Sequence, residues 1–241
     1  MMSLDHYLYL ALNAFTLLGP LALSFDRKVA YWRSWHALFP AIAITAALFL
    51  AWDVWFTAQG VWGFNQAYLS GVALLGLPLG EWLFFFTVPY ACLFIYSCVK
   101  AYFPRDPLQR AAPWVLRGLM VLLPVIALFY LDHLYTSITF LGTAALIALN
   151  LYVIKPRYLG HFLLGYLIAL IPFAIVNGVL TALPVVWYND LENLGLRLGT
   201  IPIEDTMYNI WLVLMNVNLY EWLCQRRLNQ EGQAKETRQH A

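Results

Sequence analysis

Charge is scarce in this chain. Only 11% of its 241 residues are Asp, Glu, Lys or Arg, where a soluble domain carries roughly 25%. Lysine is scarcer still, with Lys28, Lys100, Lys155 and Lys235 the only four. None of them lies deep in an apolar run, which excludes a retinal Schiff base. Cysteine is limited to Cys92, Cys98 and Cys224, at spacings that suit neither a metal site nor a disulfide framework. These three read as small apolar packing residues. The chain has no Gly-x-Gly-x-x-Gly for a dinucleotide, no His-Glu-x-x-His for zinc and no Gly-x-Ser-x-Gly for a serine nucleophile. His6, His36, His133 and His161 are scattered, and His240 is in the tail. A net charge of +1 gives no bulk attraction to nucleic acid.

What is there is apolar. Hydrophobic residues make up 62% of the chain, with 10 Trp, 15 Tyr and 15 Phe. Seven apolar runs, at about 5–24, 34–52, 78–99, 113–131, 134–153, 160–180 and 204–224, approach the roughly 20 residues that a spanning helix needs. The first lacks the basic flank and Ala-x-Ala site of a signal peptide, so it reads as a span. No strand alternation suggests a barrel, so the spans are helices that close their own hydrogen bonds. The expectation is an all-α, polytopic protein of the cell membrane with seven transmembrane helices. Thirteen of the 14 basic residues fall on one side of this arrangement, with Arg197 opposite. The positive-inside rule makes that side cytoplasmic, with the N-terminus outside and the C-terminus inside. The segment 226–241 reads as a polar cytoplasmic tail, disordered from Asn229 onward.

The chain also repeats itself. An offset of 124 residues superposes Thr57 on Thr181, Asn65 on Asn189, Gly71 on Gly195, Pro78 on Pro202, Glu81 on Asp205 and Tyr96 on Tyr220 without a gap. Spans one to three map onto spans five to seven. The units are a first three-helix repeat at 1–100, a linker helix at 101–133 and a second repeat at 134–225. An even shift makes the repeats parallel, with a pseudo-twofold axis along the membrane normal and a cleft between the triplets. The two outer connections, about 53–77 and 181–203, carry Trp55, Trp62, Phe64, Trp187 and Tyr188. They are too apolar to stand free in water and fold back over the bundle.

Both third helices open on acids. Leu77-Pro78-Leu79-Gly80-Glu81-Trp82 begins one, and Ile201-Pro202-Ile203-Glu204-Asp205 begins the other. Proline suits a first helical turn, and the helix dipole favours carboxylates there. Eight acids lie away from the cytoplasmic face: Asp5, Asp53, Glu81, Asp132, Asp190, Glu192, Glu204 and Asp205. Of these, Glu81, Glu204 and Asp205 are the candidate catalytic residues, because a desolvated carboxyl near like charge can act as a general acid. Trp82, Phe85, Tyr208 and Trp211 offer aromatic faces to a cationic intermediate. Asn209 and Asn216 continue a polar stripe from Asp205 down the seventh span. Together these six are the candidate substrate contacts.

These motifs, with Trp52-Asp53-Val54-Trp55 and the stretch from Asn216 to Glu221, resemble the membrane-integral, flavin-free lycopene cyclases. Archaeal and bacterial members include pairs of small subunits, and fungal members are fusions; here one chain carries both halves. The family's first motif reads Pro-Leu-Glu-Glu, so Gly80 stands where a Glu is usual. The resemblance implies a lycopene beta-cyclase that closes the linear ends of lycopene to beta-ionone rings without net redox change. An acid protonates the terminal double bond, the neighbouring double bond closes the ring, and a base removes a proton. Glu204 or Asp205 would donate and Glu81 would take part as base or acid partner. No cofactor or metal is required by that chemistry. Implied partners are lycopene or a related linear carotenoid, membrane lipid and other carotenoid-pathway membrane enzymes, with no nucleic acid; oligomeric state stays open. The alternatives are a C50 or epsilon-type carotenoid cyclase and a non-enzymatic isoprenoid or lipid carrier.

Overall fold

A computed structural model describes residues 4–239, and His240 and the rest of the extreme termini lie outside that range. Seven α-helices follow one another: α1 (Leu8–Leu23), α2 (Trp35–Gln59), α3 (Leu79–Tyr102), α4 (Ala112–Phe129), α5 (Leu134–Ala148), α6 (Leu159–Ala182) and α7 (Ile203–Gln239). A π-helical turn, Leu149–Ile154, extends α5. Six of these, α1 to α6 with their flanking turns, are long and apolar enough to cross a membrane. The protein is therefore an all-α, multi-pass membrane protein. The longest helix, α7, falls outside that class, because Glu204, Asp205, Asn209, Asn216 and Asn218 dilute its apolar character. It packs instead against α2, α3, α5 and α6, so its polar groups face protein.

Two helix ends differ from the sequence expectation. The helix α2 runs past residue 52 to Gln59, where Gly60 stops it at φ +74°. Glycine adopts that left-handed conformation without a Cβ clash. Asp53 is thereby a helical, buried residue rather than a loop residue. At the other end of the chain, α7 continues to Gln239 through the segment expected to be disordered, with Arg227 Nε donating to Glu231 Oε1 at 2.8 Å.

The outer connections fold over one end of the bundle as short ribbons. Strand β1 (Trp62–Phe64) pairs antiparallel with β4 (Val186–Tyr188), in the register Trp62 to Tyr188, Gly63 to Trp187 and Phe64 to Val186. A Cβ on Gly63 would lie 2.3 Å from the Trp187 ring, so only glycine allows this crossing. Two further ribbons, β2 (Ala73–Leu74) with β3 (Leu77–Pro78) and β5 (Arg197–Leu198) with β6 (Ile201–Pro202), lead into α3 and α7.

Matched positions make matched contacts. The Asn65 N–H donates to Val185 O at 3.0 Å, and the Asn189 N–H donates to Val61 O at 2.9 Å. Leu79 N–H bonds Val72 O, and Ile203 N–H bonds Leu196 O, at 2.9 and 3.0 Å. Gly71 and Gly195 both hold positive φ. Helix α2 packs on α7 as α6 packs on α3, and α1 packs on α3 as α5 packs on α7.

The opposite end of the bundle is basic. Glu221 pairs there with Lys100 at 2.5 Å and accepts from the Tyr96 hydroxyl at 2.7 Å. Its partner is thus Lys100, and it takes no part in the acid end. Outward faces of the helices are apolar, as at Leu18, Trp114, Val121, Phe129 and Ile171.

Candidate functional site

Each half of the bundle brings one acid to the same place. Glu81 is in the first turn of α3 and Asp205 in the first turn of α7. Both are buried, and both line one cavity of about 60 Å³ under the ribbons. Burying a carboxyl without partners costs several kcal/mol, so the donors around each acid define its role.

Asp205 is surrounded by neutral donors. The Tyr135 hydroxyl reaches Oδ1 at 2.5 Å; the Tyr188 hydroxyl and Asn177 Nδ2 reach Oδ2 at 2.9 and 3.1 Å. Tyr188 comes from β4, and its burial beside Asp205 holds the hydroxyl well above its ordinary pKa, keeping it a donor. Three donors fill most of the roughly four acceptor sites of a carboxylate.

Glu81 is surrounded differently. The Tyr9 hydroxyl donates to Oε2, and the second neighbour is the carboxyl of Asp53. Asp53 Oδ1 accepts from Trp62 Nε1 at 2.7 Å, while Oδ2 meets no donor. Two carboxyls in contact attract only when a proton lies between them. The two acids of the cavity thus differ: Glu81 adjoins a second carboxyl, and Asp205 meets only neutral donors. Asn177, at the repeat position of Asp53, gives Asp205 an N–H where Glu81 has an acid.

The remaining candidates separate. Tyr208 and Asn209 line the cavity, and Asn209 Nδ2 has no acceptor among the described residues. Glu204 does not line it. It is fully buried, with Oε1 accepting from Thr136 Oγ1 at 2.6 Å and the Leu194 N–H at 2.7 Å, so it ties α7 to α5 and to the outer loop. Trp82 does not line the cavity; half-buried against the cluster around Phe85, it donates through Nε1 to Leu74 O at 3.1 Å. Phe85 packs on Phe49 and Leu77 beside the cavity. Trp211 meets Trp52 edge to face, and a Cβ on Gly142 would lie 2.0 Å from its ring. Asn216 sits deeper in the bundle, bonded through Nδ2 to Leu212 O at 2.9 Å.

Sequence reasoning passed over Asp53, Tyr9, Tyr135, Asn177, Tyr188 and Trp62 as site residues. The repeat held a signal for two of them, since Asp53 and Asn177 are 124 apart. The tyrosines escaped it because Tyr9 and Tyr135 are 126 apart, a slip of two residues in the first helix of each half.

The arrangement defines a class: a multi-pass helical membrane protein that buries two carboxyls, one beside a further acid and one among neutral donors, at one small, aromatic-walled cavity. A family model described as lycopene cyclase matches residues 6–99 and 132–223, more than half of the chain. The chain belongs to the lycopene cyclase family. Membership supports a carotenoid-cyclase type of function in general. The two matched segments hold the acid-bearing halves and leave out α4. No curated protein and no solved structure matches the chain.

Proposed function

We propose that this protein is a lycopene beta-cyclase, with seven spans arranged as two parallel three-helix repeats about a pseudo-twofold axis, the N-terminus outside and the basic end cytoplasmic. The matched ribbon contacts and the exchanged α2–α7 and α6–α3 packing support the repeat. The distribution of basic residues supports the orientation.

One observation carries the chemistry: Glu81 and Asp205 face a single cavity with unlike hydrogen-bond environments. Acids tuned apart by their surroundings can divide acid and base duties. Glu81, backed by Asp53, gives its proton to the terminal double bond of the polyene. The resulting tertiary cation is attacked by the next double bond, which forms the ring bond and moves the positive charge into the ring. Asp205 removes a ring proton and leaves the beta-type double bond. One proton enters and one leaves, so no electron acceptor is needed. The faces of Trp62 and Tyr208 stabilise the cation, and the tyrosines on Asp205 orient the base. This order inverts the expectation that the second motif donates.

The test is conversion in a bacterial host that makes lycopene. Glu81→Gln and Asp205→Asn should each cut cyclised pigment by about 10²–10⁴-fold, the usual scale for general acid–base loss. Glu204→Gln keeps the oxygen that Thr136 and Leu194 use and should convert like wild type. A folded wild type that leaves lycopene unchanged would sink the assignment, as would full activity in both cavity variants.

A further inference from the structure

A second cavity, of about 450 Å³, opens on the outer face of the bundle between α1 and α6. It adjoins the acid cavity, since Phe84, Val88, Phe173, Asn177 and Asn209 line both. The acid cavity, at about 60 Å³, has room for a reacting end and little more. No Asp, Glu, Lys, Arg or His lines the second cavity. Leu18 and Gly19 of α1 and Pro172 of α6 frame its mouth on the apolar exterior.

We propose that this groove holds the linear, uncharged body of the polyene, and that it is a lateral path by which an end group reaches Glu81 and Asp205. The inference rests on the cyclase reading and on the repeat. Its occupant is a long isoprenoid chain, because the groove is uncharged throughout and ends on the acid cavity. A molecule with a charged head would leave that head without a partner along the walls.

The matching place in the other half is filled by indoles. Val176 borders the open groove, and the position 124 residues away is Trp52, which meets Trp211. Those two indoles meet at 4.5 Å between ring centroids, and Phe49 packs on both at 5.8 Å. Gly142 lets α5 close over Trp211. Val176 thus borders an open groove where Trp52 and Trp211 fill the matching place.

Gly19→Phe tests this. An added Cβ at Gly19 meets nothing within 4 Å, so a ring there enters open space at the mouth. Gly19→Ala carries the same backbone strain before Pro20 without the bulk, and the comparison is Phe against Ala. Gly118→Phe, on α4 and also facing open space, should convert like wild type. Purified protein is checked for folding, for lycopene conversion and for co-purifying carotenoid. Gly19→Phe should lose both conversion and bound pigment by roughly tenfold or more through lost substrate positioning. Should it fail to fold, Ala91→Leu narrows the groove from α3 and should show the same losses. Wild-type conversion in folded Gly19→Phe, or in Ala91→Leu, would overturn the groove. So would wild-type protein carrying phospholipid in place of carotenoid, with conversion untouched by Gly19→Phe. A wild type that converts neither lycopene nor a longer linear carotenoid would instead remove the cyclase reading underneath.

Discussion

A single missing side chain shows how one half of the site differs from the other. Gly80 occupies the position that Glu204 holds in the second half. A Cβ on Gly80 would lie 2.5 Å from the Tyr9 ring, and Asn13 Nδ2 donates to the Gly80 carbonyl at 2.9 Å. Thr87 Oγ1 in turn donates to Asn13 Oδ1 at 2.6 Å. Tyr9 is therefore seated by the absence of a side chain, and from that seat it reaches Glu81. Gly80→Ala should destabilise the protein by about 1–3 kcal/mol through overpacking and lower conversion with it. Gly80→Glu, which restores the acid usual in the family, should do no better. Thermal melting in detergent reads the first effect, and an unchanged melting temperature in Gly80→Ala would count against this packing. Glu204, in contrast, satisfies an outer-loop N–H, which explains an acid motif whose members do not share one duty. Sequence shows two adjacent carboxyls; only the fold tells which one sees the cavity.

At the scale of elements, the apolar runs predicted six helices well because lipid-facing and core-facing residues are alike in hydropathy. Helix ends were less legible. Asp53 interrupts an apolar run in sequence, yet α2 passes through it, because Trp62 Nε1 and Thr57 Oγ1 supply donors from nearby. The helix α7 reads in sequence as a seventh apolar run, yet its acids and asparagines leave it less apolar than the other six. Its burial comes from neighbours that no local pattern reveals. The tyrosine donors were hidden for a related reason: Tyr9 and Tyr135 lie on first helices whose register against the acids is set by packing. The extra length of α2 makes a prediction. Asp53→Asn gives Glu81 the amide that Asn177 gives Asp205, and an amide oxygen can still accept from Trp62. The variant should fold with stability equal to or above wild type, since the amide N–H can donate to Glu81 without a shared proton, and it should cyclise more slowly. A melting temperature well below wild type would mean that the acid pair is structural rather than a proton store.

For the whole molecule, the repeat was the most informative feature in the sequence. Matching Gly, Pro and Asn positions became matching turns because each marks a backbone constraint: positive φ at Gly71 and Gly195, and turn-forming side chains at Asn65 and Asn189, whose Oδ1 atoms accept from Ala67 and Leu191 N–H. The departures from symmetry could not be weighed beforehand. Val176 against Trp52 and Thr87 against Trp211 look like ordinary apolar or small substitutions until their partners are known.

The β1–β4 ribbon has a consequence for how the two halves move. Its strands come one from each half, and its flanking bonds, Asn65 to Val185 and Asn189 to Val61, cross between them in both directions. Neither loop can lift without releasing the other. Amide hydrogen exchange should therefore report one opening event for both, since groups protected by the same cooperative unit exchange with the same free energy. Peptides covering 61–66 and 185–190 should show equal protection, and Gly63→Ala, which forces Trp187 aside, should reduce it equally in both. Unequal protection would mean that the loops breathe separately and that water reaches the acids from one half alone.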